Sequence, residues 1–201
     1  MLDQLLLAEI DALIVEDMEL VEDVIVFVIA SGADGAACPE CRHRSQRVHS
    51  RYWRRPADLA CVGYRVRLTV EVRRFFCDNS ECPRATFAER FCGFLEPFAR
   101  RTNRLAAQQR QVALTTGGEA GAVVLQGLAM PVSPDTLLRL IRRLPEAAPP
   151  PPRVIGIDDW AWRKGQRYGT IVVDLERRRP IDLLEDRSAD SLVAWLQAHP
   201  D

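Results

Sequence analysis

Between Tyr64 and Arg73 apolar and polar residues alternate without a break. Tyr64, Val66, Leu68, Val70 and Val72 fall on one side, and Arg65, Arg67, Thr69, Glu71 and Arg73 on the other. Period two marks a strand with one buried face; here the second face is rich in arginine. Residues 13–29 are dense in Val and Ile and predict strands, closed by a turn at Gly32 and Gly35. Upstream, Leu2, Leu5, Leu6 and Ile10 stand at helical spacing and predict a short amphipathic helix over 1–10.

From Arg101 the pattern becomes helical. One helix carries Leu105 and Val112 and ends near Gly117-Gly118; a second covers 119–128. A third opens at Ser133-Pro134, with Ser133 as cap and Pro134 at the first helical position. Its apolar stripe is Leu137, Leu138, Ile141 and Leu144. Residues 145–152 hold five prolines, a stiff linker and a boundary. Beyond it the pattern predicts strands over 154–157, 168–173 and 181–184, the first ending in Asp158-Asp159. A helix over 189–199, capped by Ser188, completes this part.

The chain has 201 residues and a net charge of −1. Its 47% hydrophobic content is that of a globular protein and argues against disorder. The longest apolar run, 24–30, is far short of the roughly 20 residues of a membrane span. No basic residues precede the first apolar ones, so no secretory signal is expected and a cytoplasmic location is. The near-neutral total hides an asymmetry: residues 1–37 carry nine acids and no base, whereas 38–110 carry sixteen arginines against seven acids. Guanidinium binds phosphate through a bidentate fork, so an all-arginine excess points to nucleic acid.

The six cysteines are too few for a disulfide scaffold and are expected reduced. Cys38-Pro39-Glu40-Cys41 and Cys77-Asp78-Asn79-Ser80-Glu81-Cys82 are two close pairs in polar turns, the pattern of a tetrahedral Cys₄ Zn²⁺ site. Cys61 and Cys92 stand alone and read as small core residues, and His43 and His49 as part of the arginine-rich surface. Residues 119–143 have the length and turn placement of a helix-turn-helix, whose third helix would carry Arg139, Arg142 and Arg143 to DNA. Arginines on an exposed helix face are equally compatible with plain solvated surface. Asp158 after an apolar strand suits a Mg²⁺ ligand, and equally a turn or helix cap; Asp174, after the next strand, reads as a hairpin-turn residue.

Several stretches resemble the ISL-three family of bacterial insertion-sequence transposases. They are Cys38-Pro39-x-Cys41, Val48-His49-Ser50-Arg51-Tyr52, Arg73-Arg74-Phe75-Phe76-Cys77 and Cys82-Pro83-Arg84-x-Thr86-Phe87-Ala88-Glu89. After the linker, Gly156-Ile157-Asp158-Asp159-Trp160-Ala161 and Tyr168-Gly169-Thr170-Ile171-Val172-Val173-Asp174 are similar to the opening of that family's catalytic domain. The resemblance implies a ribonuclease-H-like domain with an Asp-Asp-Glu triad, and Asp158 would be its first carboxylate. It also implies Mg²⁺ chemistry for the full-length family enzyme, binding of double-stranded terminal inverted repeats, and possible homo-oligomers. The later triad carboxylates should lie on further strands and a further helix, so the chain is expected to be a truncated, catalytically incomplete transposase.

The expected architecture is α+β and multi-domain. It comprises an acidic segment (1–37), a β-rich zinc module (38–100), a helix-turn-helix (101–144), the linker (145–152) and the first strands of the ribonuclease-H-like domain (153–201). Phosphate contacts are expected from Arg65, Arg67 and Arg73 on the strand and from Arg139, Arg142 and Arg143 on the helix. The alternatives are a stand-alone zinc-dependent regulator that competes for transposon ends, and a zinc-stabilised module that binds protein or RNA.

Overall fold

The computed structural model describes residues 13–144, 151–163 and 165–200. They form two compact units, Met1–Leu144 and Pro145–Asp201. The helix expected over 1–10 and most of the proline run lie outside the described residues. No described helix is long and apolar enough to cross a membrane.

In the first unit β1 (Leu13–Val21) and β2 (Val24–Ser31) make an antiparallel hairpin. The short strands β3 (Ala36–Ala37) and β4 (Arg44–Ser45) pair with each other, and β5 (Val48–Arg54), β6 (Ala57–Cys61), β7 (Tyr64–Phe76) and β8 (Thr86–Ala88) follow. The alternating segment is β7, the organising strand of a six-stranded sheet. β2 runs parallel to it on one side, with Phe27 opposite Leu68 and Ile29 opposite Val70. β5 runs antiparallel on the other, and β6 and β8 also pair antiparallel with β7. The β6–β7 turn places Val62 and Gly63 at φ 51° and 82°. A two-residue turn of this sort needs positive φ at both positions to match strand twist.

Val66, Leu68, Val70 and Val72 are buried, as the alternation requires, against Phe27, Ile29, Phe91, Phe94 and Leu95. Each such side chain contributes roughly 1.5–3 kcal/mol on burial. Residues 1–37 were expected as a segment of their own. Instead β1 and β2 are integral strands of the arginine-rich sheet, and Glu16, Asp17 and Glu19 point to solvent from its edge. The seven-residue apolar run of β2 decides this, because both of its faces find cover only inside a sheet.

Three helices follow: α1 (Asn103–Thr116), α2 (Gly118–Gly127) and α3 (Pro134–Ile141). Thr102 caps α1 by accepting from the Leu105 N–H, and Ser133 caps α3 by accepting from Thr136. Gly117, at φ 78°, is the one-residue corner between α1 and α2. Ala113, Leu125 and Leu137 meet in the centre, one from each helix. The buried stripe of α3 is narrower than its pattern predicts, since Leu138 and Leu144 are exposed at its rim.

The helices are tied to the sheet through a buried carboxylate. Asp58 on β6 accepts from Thr102 Oγ1 at 2.6 Å and from Arg104 Nε at 2.9 Å, and forms an ion pair with Arg104. One acid thus holds the N-terminal end of α1 against β6.

The second unit is a meander of β9 (Ile155–Arg163), β10 (Arg167–Asp174) and β11 (Arg179–Leu184), in the order β11-β10-β9, followed by α4 (Ala189–Ala198). β9 runs past the point where the apolar pattern stops: Asp158 and Asp159 lie within the strand, opposite Ile171 and Thr170. Backbone pairing with β10 continues the ladder through these carboxylates, because their exposed side chains do not oppose it. Asp174 is buried at the β10–β11 turn, where it accepts from the Glu176 and Arg177 N–H groups and ion-pairs with Arg177 at 2.8 Å. The Arg177 N–H, followed by the Arg177 charge, holds its carboxyl below the usual range. Asp174 therefore fills the turn role read from the sequence.

Candidate metal centre and basic surfaces

Two turns bring four sulfurs together. Cys38 and Cys41 come from the turn between β3 and β4, and Cys77 and Cys82 from the loop after β7. The Arg42 N–H donates to the Cys38 carbonyl at 2.9 Å with Arg42 at φ 61°, and the Cys82 N–H donates to Asn79 O at 3.1 Å. These bends turn the thiols of each pair to the same side. The four Sγ atoms lie within 4.8 Å of one another, with Cys38–Cys82 at 3.9 Å and Cys41–Cys77 at 3.6 Å. A tetrahedron with Zn–S bonds of about 2.3 Å has edges of about 3.8 Å. The donor set thus fits one Zn²⁺, while the separations are far beyond a disulfide bond.

The surroundings act unequally on the sulfurs. The His43 N–H bonds to the Cys41 sulfur and draws its pKa down to about 6. The Asn79 N–H acts the same way on Cys77, but burial and the neighbouring sulfurs outweigh it and push that thiol up to about 12. Four sulfurs this close cannot all carry charge unless a cation sits among them, which is what zinc supplies. The centre rests on Phe75 and Phe87, buried and stacked with ring centroids 5.8 Å apart. Asp78, beside Cys77, accepts from Ser45 Oγ at 2.8 Å and from Arg47 Nη2 at 2.7 Å, so the second turn is fastened to the first.

Cys61 and Cys92 are outside this cluster. Cys61 packs half-buried against the sheet core, as expected, but Cys92 is exposed, because Phe91, Phe94 and Leu95 fill the core around it. His43 and His49 are exposed, and His49 lies edge-on to Phe76.

The predicted DNA-contact arginines divide into two kinds. Arg65 and Arg67 are exposed on the outer face of β7, and Arg65 has only a long contact of 3.8 Å with Asp23. Arg139, Arg142 and Arg143 are exposed on and just after α3. Arg73 is not on any such surface. It donates to Glu89 at 2.8 Å, to Ala33 O at 2.8 Å and to Ser31 Oγ at 2.9 Å, with its side chain only 12% exposed. Alternation alone did not reveal this, because Glu89 reaches Arg73 from beyond β8. Asp158 is exposed and, among the described residues, accepts from the adjacent Asp159 N–H alone, at 2.7 Å; Asp159 pairs with Arg187 at 3.0 Å. Among the described residues the cysteine cluster is the only convergence of three or more His, Cys, Asp or Glu ligands. Among the described residues no second or third metal ligand converges with Asp158.

A four-cysteine cluster built from two turns, set on a sheet with exposed arginines, is the arrangement of a zinc ribbon. Residues 34–82 match the family model described as the zinc-finger of transposase IS204/IS1001/IS1096/IS1165. Residues 155–201 match the ISL3 model described as Transposase. Over 163 residues the chain is 30% identical to the transposase for insertion sequence element IS1001 of Bordetella parapertussis, which is 81% of this chain and 39% of that protein. Over these stretches the chain is similar to the ISL3-type insertion-sequence transposases that its motifs resemble, and it spans well under half the length of that curated relative. No solved structure matches it.

Proposed function

We propose that the chain is the DNA-binding portion of an insertion-sequence transposase and grips the terminal inverted repeats of its element. The observation that carries this is the Cys₄ cluster inside a region matched to the transposase zinc finger, on a sheet with exposed arginines. In this reading α1 to α3 act as a helix-turn-helix, with α3 in the major groove and Arg139 and Arg142 reading bases. Arg65 and Arg67 supply phosphate contacts. The β9–β11 meander and α4 are the opening of a ribonuclease-H-like domain, with Asp158 as the first of its carboxylates. Mg²⁺ would be the metal of the complete enzyme, and no step of that chemistry is assigned to the 201 residues.

Titration of inverted-repeat DNA against scrambled duplex tests the reading. Specific binding should weaken steeply with salt, each neutralised phosphate adding about −0.9 to the log–log slope. Replacing Arg139 and Arg142 with Gln should lower preference for the cognate end by about 1–3 kcal/mol while general affinity falls less. Equal loss on every sequence would reassign these arginines to backbone contact. Wild-type chain that does not distinguish the inverted repeat from scrambled duplex would refute the assignment.

The same chain, supplied with Mg²⁺ or Mn²⁺, is expected to leave transposon ends uncut. Two-metal phosphoryl transfer needs carboxylates converging on ions about 4 Å apart, and Asp158→Ala should accordingly leave binding intact. End cleavage that vanishes in Asp158→Ala would overturn this expectation.

A further inference from the structure

A groove of about 630 Å³ opens between β5, β8 and the segment that follows β8. Arg51, Arg54, Arg74, Arg84 and Arg90 line it, and the one carboxylate in its wall, Glu89, is already committed to Arg73. Arg51 and Arg84 have acidic partners outside the groove, Glu71 at 3.4 Å and Glu40 at 3.1 Å. Arg54, Arg74 and Arg90 form no ion pair among the described residues. Arg54 is held in place by donating to the Glu96 and Ala99 carbonyls at 2.9 and 2.7 Å, and burial together with the charge of Arg90 keeps its pKa below the ordinary value. Like charges gathered and fixed in one groove are stabilised by an anion with several charges along its length.

The groove also presents aromatic rings. Phe98 is 96% exposed, and its backbone lies at φ 60°. Tyr52, on β5, is 41% exposed. A large apolar side chain this open to solvent, on a left-handed residue where bulky side chains are rare, offers a flat face with no partner in the fold. A duplex keeps its base faces stacked on one another, whereas a single strand presents them to aromatic rings while its phosphates follow a positive groove.

We propose that this groove holds single-stranded DNA, with phosphates on Arg54, Arg74 and Arg90 and bases stacked on Phe98 and Tyr52. The site rests on the DNA-binding reading above and adds to it a strand type that duplex recognition does not require. It uses none of the arginines assigned there to the inverted repeats.

The test is fluorescence anisotropy on the zinc-loaded full chain, with a short labelled oligo-dT, the matching oligo-rU and an inverted-repeat duplex. Wild type should bind oligo-dT, at least as tightly as oligo-rU, with a salt slope near −0.7 per phosphate contact. Phe98→Ala should weaken oligo-dT about fivefold or more and leave duplex affinity within about twofold, and Phe98→Tyr should restore it. Replacing Arg74 and Arg90 together with Gln should weaken oligo-dT and flatten its salt slope. Zinc content checks that each variant is folded, and Phe98 contributes little to packing at its exposure. Duplex binding without oligo-dT binding overturns the groove while the inverted-repeat reading stands. Binding of neither overturns both. An unchanged oligo-dT affinity in Phe98→Ala, or tighter binding of oligo-rU, also overturns the assignment.

Discussion

Replacing Cys77 with Ser should empty the metal centre and unfold the ribbon around it. Purified wild-type chain should carry about one zinc, measured by elemental analysis, and Cys77→Ser close to none. Structural zinc contributes on the order of 10–16 kcal/mol of apparent binding energy, comparable with or larger than the 5–15 kcal/mol that stabilises a whole domain. The two turns have little else to hold them: β3 and β4 are two residues each, and the core beneath is Phe75, Phe87 and Cys38. A chelator should reproduce the loss in wild type. Because the ligands bind deprotonated, zinc affinity should fall as pH falls. Cys61→Ser and Cys92→Ser should keep full zinc, since neither sulfur is in the cluster. Full zinc in Cys77→Ser, or its loss in Cys92→Ser, would show the ligand set to be wrong.

Glu89→Ala should be the most damaging change away from the metal, at about 3–5 kcal/mol in urea denaturation. The side chains of Glu89 and Arg73 are 5% and 12% exposed, and the Arg73 guanidinium also donates to Ser31 and Ala33 at the end of β2. Removing the acid strands a buried cation at the junction of β2, β7 and β8. An exposed pair provides the control: Asp23→Ala, opposite Arg65 at 3.8 Å, should change stability by less than about 0.5 kcal/mol. Changing Arg73 and Glu89 together to apolar residues should recover much of the loss, because the cost is the unpaired charge rather than the missing pair. A Glu89→Ala effect under about 1 kcal/mol would mean that water reaches Arg73.

Local rules account for what was legible in the chain alone. The alternation over 64–73 made β7 readable, because side chains on a strand point to opposite faces in turn. Ser133, Pro134, Ser188 and the Gly117-Gly118 pair located helix ends through capping and positive-φ chemistry that depends on a few neighbouring residues. Both cysteine pairs announced their partners, since a Cys₄ site is assembled from two short turns whatever lies between them.

Tertiary structure decided how the charges are used. Whether an arginine faces DNA or an acid depends on residues that arrive from far along the chain. Arg73 and Glu89 are sixteen residues apart, and Arg73 and Ala33 forty. Only the parallel docking of β2 on β7 joins the acidic N-terminal strands to the basic sheet. Only the pairing of β9 with β10 carries the backbone through Asp158 and Asp159 as strand. The groove arginines come from β5, β7 and the segments flanking β8, and are neighbours through sheet pairing and loop return. Periodicity, caps and metal-ligand spacing are short-range and are written in the sequence. Strand order and the burial of charge are long-range choices, made by which apolar faces must cover one another.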